Sequence, residues 1–224
     1  MLGIILQARM GSSRLPGKIL MNIGHRNLLE HILFRLKYLK HDAKVVIATS
    51  TSPKDDRVQD FCKAHDVECF RGSELNVLER YYLCSKKYGF HNIVRLTGDN
   101  PFTDIEELDN LIDLHMRTKS DYTHSFGVLP IGVGAEIFTF KALEESYLKG
   151  TMDNHREHVN EYIQEHPELF NISVLSVDKK KNRPDIRLTV DTREDLKRAR
   201  EIVENGAVEF VDTEKAIELC LRFA

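Results

Sequence analysis

Residues 2–20 read LGIILQARMGSSRLPGKIL, and this stretch decides how the rest of the chain is interpreted. The apolar run Leu2 to Leu6 predicts a short buried strand, and an amphipathic helical pattern begins at about Asn27. Glycines allow tight turns, backbone N–H groups in such turns bind anions, and arginine and lysine add charge-assisted hydrogen bonds. The connection between strand and helix therefore predicts a polyphosphate-binding loop. Its glycines and cations are Gly11, Gly17, Arg9, Arg14 and Lys18.

Two well-known phosphate-binding loops do not match this connection. A Walker A loop reads G-x-x-x-x-G-K-[ST], whereas here five residues separate Gly11 from Gly17, and Lys18 is followed by Ile19, which has no hydroxyl. The dinucleotide fingerprint G-x-G-x-x-G is also absent. Because Pro16 restricts the backbone, we expect a loop of fixed shape. The alternative, a surface loop with scattered charge, is disfavoured because the cations follow a buried strand.

The composition is that of a soluble globular protein of 224 residues, with 42% hydrophobic residues. This length suits one domain spanning residues 1–224. The formal net charge is −3, whereas proteins that bind duplex nucleic acid are usually basic, so we expect no nucleic-acid partner. No apolar run approaches the roughly 18–20 residues that span a bilayer, and the N-terminal run is too short for a signal peptide. We therefore expect a cytoplasmic protein with no membrane partner.

Two groups of potential metal ligands lack the spacing of a zinc site. The four cysteines, Cys62, Cys69, Cys84 and Cys220, contain no C-x-x-C pair and are expected to be reduced thiols. The segment His155-Arg156-Glu157-His158 matches neither H-E-x-x-H nor H-x-x-E-H. We expect this segment to be a helix face or to contact an anionic substrate.

Strand and helix patterns alternate along the chain as far as about residue 120. After the first strand, the predicted strands are Lys44–Thr49, Val67–Phe70 and His91–Leu96. The predicted helices are Leu28–Leu39, Asp55–His65, Leu75–Tyr88 and Asp104–Arg117. This alternation predicts an α/β fold with a mainly parallel sheet covered by helices on both faces.

Beyond residue 120 the pattern is less regular. The predicted strands are Tyr122–Ser125, Glu136–Phe140, Ile172–Val177 and Arg187–Val190. The predicted helices are Asp153–His166, Arg193–Asn205 and Thr213–Arg222.

Two aspartates follow predicted strands, Asp99 after His91–Leu96 and Asp191 after Arg187–Val190. Because ligands of open parallel sheets bind at the carboxyl ends of strands, we expect both carboxylates beside the first loop. Magnesium is usually held by one or two carboxylates together with substrate phosphate oxygens. The pair therefore predicts a Mg²⁺ site, although either aspartate alone could instead be a helix N-cap.

Two arginines are candidates for contact with a nucleotide. Arg71 follows the third predicted strand, and Arg80 lies in the helix after it. A guanidinium group can bind a base carbonyl or a phosphate through two parallel hydrogen bonds. The alternative for each is an exposed arginine paired with a nearby glutamate.

Five segments, taken in order, resemble the cytidylyltransferase family: QARMGSSRLPGKIL (7–20), FRGSELNVLERY (70–81), RLTGDNPF (95–102), REHV (156–159) and RLTVDT (187–192). The chain is most similar to the branch of spore coat polysaccharide biosynthesis proteins, which is related to CMP-3-deoxy-octulosonate and CMP-sialate synthetases. The resemblance implies a Rossmann-like nucleotidyltransferase fold with a small irregular dimerisation segment, hence a homodimer. It also implies transfer of CMP from CTP to an acidic sugar or a phosphorylated small molecule, releasing pyrophosphate, for cell-surface polysaccharide.

The resemblance also assigns roles to individual positions. It places the nucleotide against Ala8, Arg9, Gly11, Ser12, Arg14, Lys18, Arg71, Thr97 and Asp99, with Arg71 and Thr97 facing the cytosine. It makes Arg14, Lys18 and Asp99 catalytic, and gives Mg²⁺ to Asp99 and Asp191. It assigns the anionic acceptor to Glu136, Arg156 and His158. Thr97 stands where octulosonate synthetases usually have Gln, and the segment Leu129–Glu136 also differs from the usual pattern.

Two other functions remain open at the level of sequence. A glycosyltransferase of the same fold would bind a nucleotide sugar, usually through a D-x-D motif. The chain offers only Asp55-Asp56 and Asp185 for that role. The other alternative is a nucleotide-binding protein without catalytic activity.

Overall fold

A seven-stranded sheet with helices packed on both faces forms the centre of the protein, seen in a computed structural model that describes residues 1–206 and 210–223. The strands are β1 (Leu2–Gln7), β2 (Asn22–Ile23), β3 (Arg26–Asn27), β4 (Lys44–Ser50), β5 (Glu68–Gly72), β6 (Asn92–Thr97), β7 (Tyr122–His124), β8 (Glu136–Thr139) and β9 (Ile172–Val174). The helices are α1 (Leu28–Leu36), α2 (Asp56–Ala64), α3 (Val77–Tyr88), α4 (Ile105–Thr118), α5 (Phe140–Lys149), α6 (Asp153–Glu157), α7 (Glu161–Glu165), α8 (Arg193–Asn205) and α9 (Thr213–Arg222). Short 3₁₀ turns cover Lys18–Leu20, Pro53–Asp55 and Pro167–Leu169.

The strand order in the sheet is β5-β4-β1-β6-β8-β7-β9, and β2 and β3 form a separate hairpin. Strand β1 pairs in parallel with both β4 and β6, and β4 pairs in parallel with β5. Within this sheet only β8 runs against its neighbours β6 and β7. The predicted α/β fold with a mainly parallel sheet is confirmed.

Alternation of side chains along β1 places a hydrophobic core on each face of the sheet. Ile4 and Leu6 belong to the core that includes residues of α1, α2 and α4. Ile5 belongs to the core that includes residues of α3 and α5. A third core joins the segment 186–190 to α8 and α9 through Leu188, Val190 and Leu196. The carboxyl ends of the central strands are therefore held firmly from both sides.

Two predicted elements differ in the structure. The segment Arg187–Val190 is not a strand of the sheet, because its backbone groups bond to Ile131 and to the carbonyl of Asp99 instead of to a neighbouring strand. The predicted helix Asp153–His166 is two short helices, α6 and α7. The chain between them is extended at His158, which lets Val159 become fully buried. Helix α5 was not predicted, although Thr139 caps it and Ala142 and Leu143 bury one face.

The structure also bears on the cysteines and on membrane association. The thiols of Cys62, Cys69, Cys84 and Cys220 are free. Across residues 1–206 and 210–223, no helix has both the length and the apolar character needed to cross a bilayer.

A buried histidine on α4 should make stability depend on pH. His115 is 2% exposed, with Nδ1 2.9 Å from the Thr123 hydroxyl and Nε2 3.1 Å from Asn92 Oδ1. Burial lowers the pKa of His115 to about 4, against an opposing effect of the Asp121 charge. The folded protein therefore favours the neutral ring.

We predict that this histidine destabilises the protein as the pH falls from about 6.5 towards 4. The unfolded chain binds the proton first, so the contribution is complete above pH 6.5 and the loss amounts to about 3 kcal/mol. Denaturant titration of His115→Gln should show lower stability at pH 7 but a shallower decline between pH 6.5 and 4.5. The exposed His25→Gln is the control. An unchanged pH slope in His115→Gln would contradict the prediction.

Candidate active site

A cleft of about 910 Å³ opens at the carboxyl ends of β1 and β6. It lies between the loop after β1, the turn after β6, the loop joining β7 to β8, and the segment that precedes α8. Its volume is in the range of small-molecule sites. The predicted site residues that line it are Ala8, Arg9, Ser12, Arg14, Lys18, Thr97, Asp99, Glu136, His158 and Asp191.

The loop after β1 is held in one shape by its own hydrogen bonds and by a buried aspartate. The carbonyl of Met10 accepts bonds from the N–H groups of Ser12 and Gly17, both at 3.0 Å. Gly17 has φ of 74°, a conformation that favours glycine. Asp55 is 2% exposed and accepts bonds from Met10 N at 2.6 Å and Ser50 N at 3.2 Å. Asp55 thus anchors the loop to the end of β4.

The ammonium group of Lys18 joins the two predicted metal ligands. Its Nζ lies 2.8 Å from Asp99 Oδ2 and 2.7 Å from Asp191 Oδ1. Lys18 is only 6% exposed, and a buried ammonium is stable only when it is paired. The structure therefore brings Lys18, Asp99 and Asp191 together at one point in the cleft.

Two arginines also contact the carboxylate of Asp191. Arg14 Nη2 lies 3.1 Å from Oδ1, and Arg187 Nη2 bonds to Oδ2. Burial raises the pKa of Asp191, but the hydrogen bond from Lys18 and the three cationic charges outweigh it and bring the pKa below its ordinary value. Asp191 is therefore ionised at neutral pH and available to a cation.

Backbone contacts place Asp191 beside Asp99. Val190 N donates to the carbonyl of Asp99 at 2.9 Å, and Thr189 N donates to the carbonyl of Ile131 at 3.2 Å. The turn at Gly132 packs closely on this segment, because a Cβ there would lie 2.5 Å from Thr189 N. Gly132 also has φ of 91°. The position of the second carboxylate depends on this close approach.

A buried ion pair also lines the cleft. Arg95 Nη1 bonds to Glu136 Oε1, and the Tyr122 hydroxyl donates to Oε2 at 2.5 Å. Burial lowers the pKa of Arg95, but the charge of Glu136, its hydrogen bond and the nearby tyrosines together raise the pKa above its ordinary value. Burial and the same carboxylate raise the pKa of Tyr122. Arg95 is therefore a fixed cation in the lining of the cleft, which also includes His158.

Three of the predicted contacts lie outside the cleft lining. Arg71 turns away from it and bonds to the carbonyls of Ser50 and Ser52 at 3.0 and 2.9 Å and to Asp56 at 2.7 Å. The guanidinium donors of Arg71 are thus directed at these groups and not into the cleft. Arg156 is exposed and lies 3.7 Å from Asp153, and Gly11 is also outside the lining.

The remaining candidates from the sequence have other contacts. Arg80 is fully buried and donates to the carbonyl of Ser73 at 2.6 Å. Asp185 pairs with Arg183 at 2.6 Å, away from the cleft, and Asp55 anchors the first loop. None of the aspartates considered for a D-x-D motif therefore lines the cleft. His155 is buried against Glu165 at 2.7 Å.

Sequence reasoning did not assign two arginines that line the cleft. Arg95 and Arg187 both belong to the segments that carry the family resemblance, as the first residues of RLTGDNPF and RLTVDT. Their position at the start of each motif, four residues before Asp99 and Asp191, was the available signal.

A family model described as cytidylyltransferase matches residues 3–217. The chain belongs to the cytidylyltransferase family. It is therefore a nucleotidyltransferase, and the predicted family is confirmed. The chain is 38% identical over 207 residues to the spore coat polysaccharide biosynthesis protein SpsF of Bacillus subtilis, covering 90% of this chain and 86% of that protein.

Solved structures agree with this assignment. A cytidylyltransferase from Leptospira borgpetersenii is 32% identical, with a TM-score of 0.92 and coverage of 99% of this chain and 94% of that chain. A CMP:2-keto-3-deoxy-manno-octonic acid synthetase complexed with CTP has a TM-score of 0.68 at 19% identity, covering 89% of this chain and 96% of that chain. The latter likeness supports the fold.

We predict that Gly132→Ala disrupts the cleft, whereas Gly127→Ala is tolerated. Both glycines have positive φ, so both substitutions cost about 1–2 kcal/mol in backbone strain. Only at Gly132 does the added Cβ collide with backbone, since nothing lies within 4 Å at Gly127. Thermal denaturation and CTP binding should show a larger loss for Gly132→Ala. Equal behaviour of the two variants would contradict the proposed close packing.

Proposed function

We propose that this enzyme transfers CMP from CTP to a hydroxyl of an acidic sugar or a phosphorylated small molecule, releasing pyrophosphate, in cell-surface polysaccharide biosynthesis. The observation that carries the proposal is the convergence of Lys18 with Asp99 and Asp191 beside the loop after β1. The name of the Bacillus relative supports the polysaccharide, and the CTP complex of the octonic acid synthetase supports the nucleotide.

The triphosphate would lie along the loop after β1. Arg9 and Arg14 line the cleft with exposed side chains, and Ser12 and the backbone at Ala8 lie beside them. Guanidinium and ammonium groups form the strongest hydrogen bonds to phosphate oxygens. With Lys18 these side chains would offset charge on the β- and γ-phosphates, which form the leaving group.

The pair Asp99 and Asp191 fits a magnesium ion. Asp99 Oδ2 and Asp191 Oδ1 face one shared cation, the Lys18 ammonium, so the position between them suits a positive charge. Oxygen ligands are those that Mg²⁺ prefers, and phosphate oxygens commonly complete its coordination. Among residues 1–206 and 210–223, no cluster of three or more His, Cys, Asp or Glu side chains forms a metal site without such help. When bound, the ion would neutralise phosphate charge.

The reaction needs no covalent intermediate on the protein. The acceptor hydroxyl attacks the α-phosphorus of CTP, a new P–O bond forms, the bond to pyrophosphate breaks, and the hydroxyl proton passes to solvent. Such reactions depend on positioning and electrostatic stabilisation. Lys18 and Arg14 would stabilise the negative charge of the departing pyrophosphate. Asp99 would be a ligand of the metal ion.

The acceptor would occupy the part of the cleft that Arg95 lines, with His158 as a further lining residue. Glu136 is 0% exposed and bonds to Arg95, so its role there would be to hold that cation in place. Arg95 rather than the exposed Arg156 would supply positive charge to an anionic acceptor. The homodimer implied by the family resemblance remains a prediction, which the molar mass of the protein in solution can test.

We predict that Asp99→Asn lowers kcat by about 100-fold or more, because a preorganised electrostatic contact is lost. The fold should persist, since Val190 binds the Asp99 backbone and not its side chain. Pyrophosphate release from CTP with a panel of sugar acids and sugar phosphates measures turnover, and thermal denaturation measures folding. Asp113→Asn, whose side chain is 70% exposed, is the control. Wild-type kcat in Asp99→Asn would refute the metal assignment.

We predict opposite effects of Lys18→Met on two ligands. The affinity for CTP should fall about 10- to 100-fold, because a charge-assisted contact with phosphate is lost. The affinity for Mn²⁺ without nucleotide should rise, since Asp99 and Asp191 lose the ammonium that neutralises them. Calorimetric titration of the same protein with each ligand tests both effects. Unchanged CTP affinity would argue against phosphate contact by Lys18.

A further inference from the structure

Arg187 lies in the cleft, and none of the roles proposed above uses it. Its backbone is fixed on both sides, because Leu188 N donates to the carbonyl of Ile131 at 2.8 Å and Ile131 N donates to the carbonyl of Ile186 at 2.8 Å. Its side chain, 38% exposed, extends along the segment to the carboxylate of Asp191. Arg187 is thus a half-exposed cation on a fixed backbone.

The two oxygens of Asp191 have different partners. Oδ1 accepts a hydrogen bond from Lys18 Nζ at 2.7 Å and lies 3.1 Å from Arg14 Nη2, whereas Oδ2 accepts a hydrogen bond from Arg187 Nη2. Oδ1 is also the oxygen that shares Lys18 with Asp99 Oδ2. Arg187 therefore contacts the carboxylate on the oxygen that is not used in the bridge to Asp99.

Neighbouring contacts fix the backbone of Asp191 and the position of Arg187. Asp191 N donates to Asp195 Oδ2 at 3.0 Å, and Arg187 Nε lies 3.9 Å from Asp195 Oδ1. With the backbone held, rotation of the Asp191 side chain about χ1 and χ2 is the remaining freedom. A guanidinium on Oδ2 restricts that rotation and keeps Oδ1 directed towards Asp99.

We propose that Arg187 is a positioning residue for the metal site, acting through Asp191. By holding Oδ2, it presents Oδ1 to a divalent cation in register with Asp99 Oδ2. The inference rests on the proposed function, because it requires that Asp99 and Asp191 bind the metal. Contacts that orient metal ligands commonly contribute 10- to 100-fold to metal affinity.

The test is the affinity of Mn²⁺ for the full-length protein in the presence of CTP and without acceptor. Electron paramagnetic resonance measures bound Mn²⁺, with Mn²⁺ and CTP alone as the blank. Arg187→Met should weaken Mn²⁺ binding about tenfold. Arg187→Lys should recover part of the loss, because an ammonium can still donate to Oδ2 but lacks the planar geometry of a guanidinium.

A neighbouring arginine provides a matched control. Arg198 lies 3.6 Å from Asp195, and its side chain is 31% exposed, close to the value for Arg187. The structure gives it no contact with Asp191 among the described residues. Arg198→Met should therefore keep the wild-type affinity for Mn²⁺, and a weakening equal to that of Arg187→Met would overturn the specific role of Arg187.

Two further results separate this inference from the proposed function. If Asp99→Asn and Asp191→Asn both keep wild-type Mn²⁺ affinity, the proposed metal site itself is wrong. If those variants bind weakly while Arg187→Met binds like wild type, only the positioning role is wrong. CTP binding in EDTA should be unchanged in Arg187→Met. A loss there would mean that Arg187 binds phosphate directly, and it would overturn the inference.

Discussion

The contact of one lysine ammonium with two carboxylates is the constraint on which the cleft depends. Lys18, Asp99 and Asp191 are far apart in the sequence, yet Nζ lies within 2.8 Å of an oxygen of each aspartate. Lys18 is only 6% exposed, so its ammonium needs a carboxylate partner in this position. The contact therefore ties together the loop after β1, the turn after β6 and the segment before α8.

Backbone hydrogen bonds make that convergence possible before any side chain is considered. Gly98 N donates to the carbonyl of Gln7 at 2.8 Å, which ties the turn after β6 to the end of β1. Val190 N then donates to the carbonyl of Asp99 at 2.9 Å, which ties the last segment to the same turn. Gly98 fits because a Cβ there would lie 2.9 Å from the side chain of Leu29. The side-chain geometry thus follows from tight backbone packing at the edge of a parallel sheet.

These features differ in how well the sequence predicts them. The central strands were predictable, because a short run of aliphatic residues bounded by turn residues is typical of a buried strand. Asp99 was predictable as a residue of the cleft, because parallel strands bring their carboxyl ends to one edge. Asp191 also lines the cleft, although the segment before it is not a strand of the sheet. The segment Arg187–Val190 has the composition of a strand, but its hydrogen-bond partners are Ile131 and Asp99. The preference of these residues for strand conformation does not determine which backbone groups are available to bond with them.

Side-chain direction accounts for most of what the sequence did not predict. Arg71 and Arg187 both lie in segments that resemble the family, yet one turns towards α2 and the other towards the cleft. The direction of each arginine side chain depends on which hydrogen-bond acceptors other parts of the chain place beside it. The break between α6 and α7 is similar, since the burial of Val159 depends on the core beneath it.

The charges around the aspartates link the proposed reaction to the inference about Arg187. Five cations and five acids line the cleft, and Arg14, Lys18 and Arg187 contact the carboxylate of Asp191. A triphosphate carries more negative charge than one divalent cation neutralises, so these cations suit a metal–nucleotide complex. Asp99 and Asp191 would hold a divalent cation that offsets phosphate charge, and Lys18 would contact the phosphates. Arg187 bonds to Oδ2 of Asp191, whereas Lys18 bonds to Oδ1, so the contact of Arg187 with this carboxylate does not depend on the partner of Oδ1.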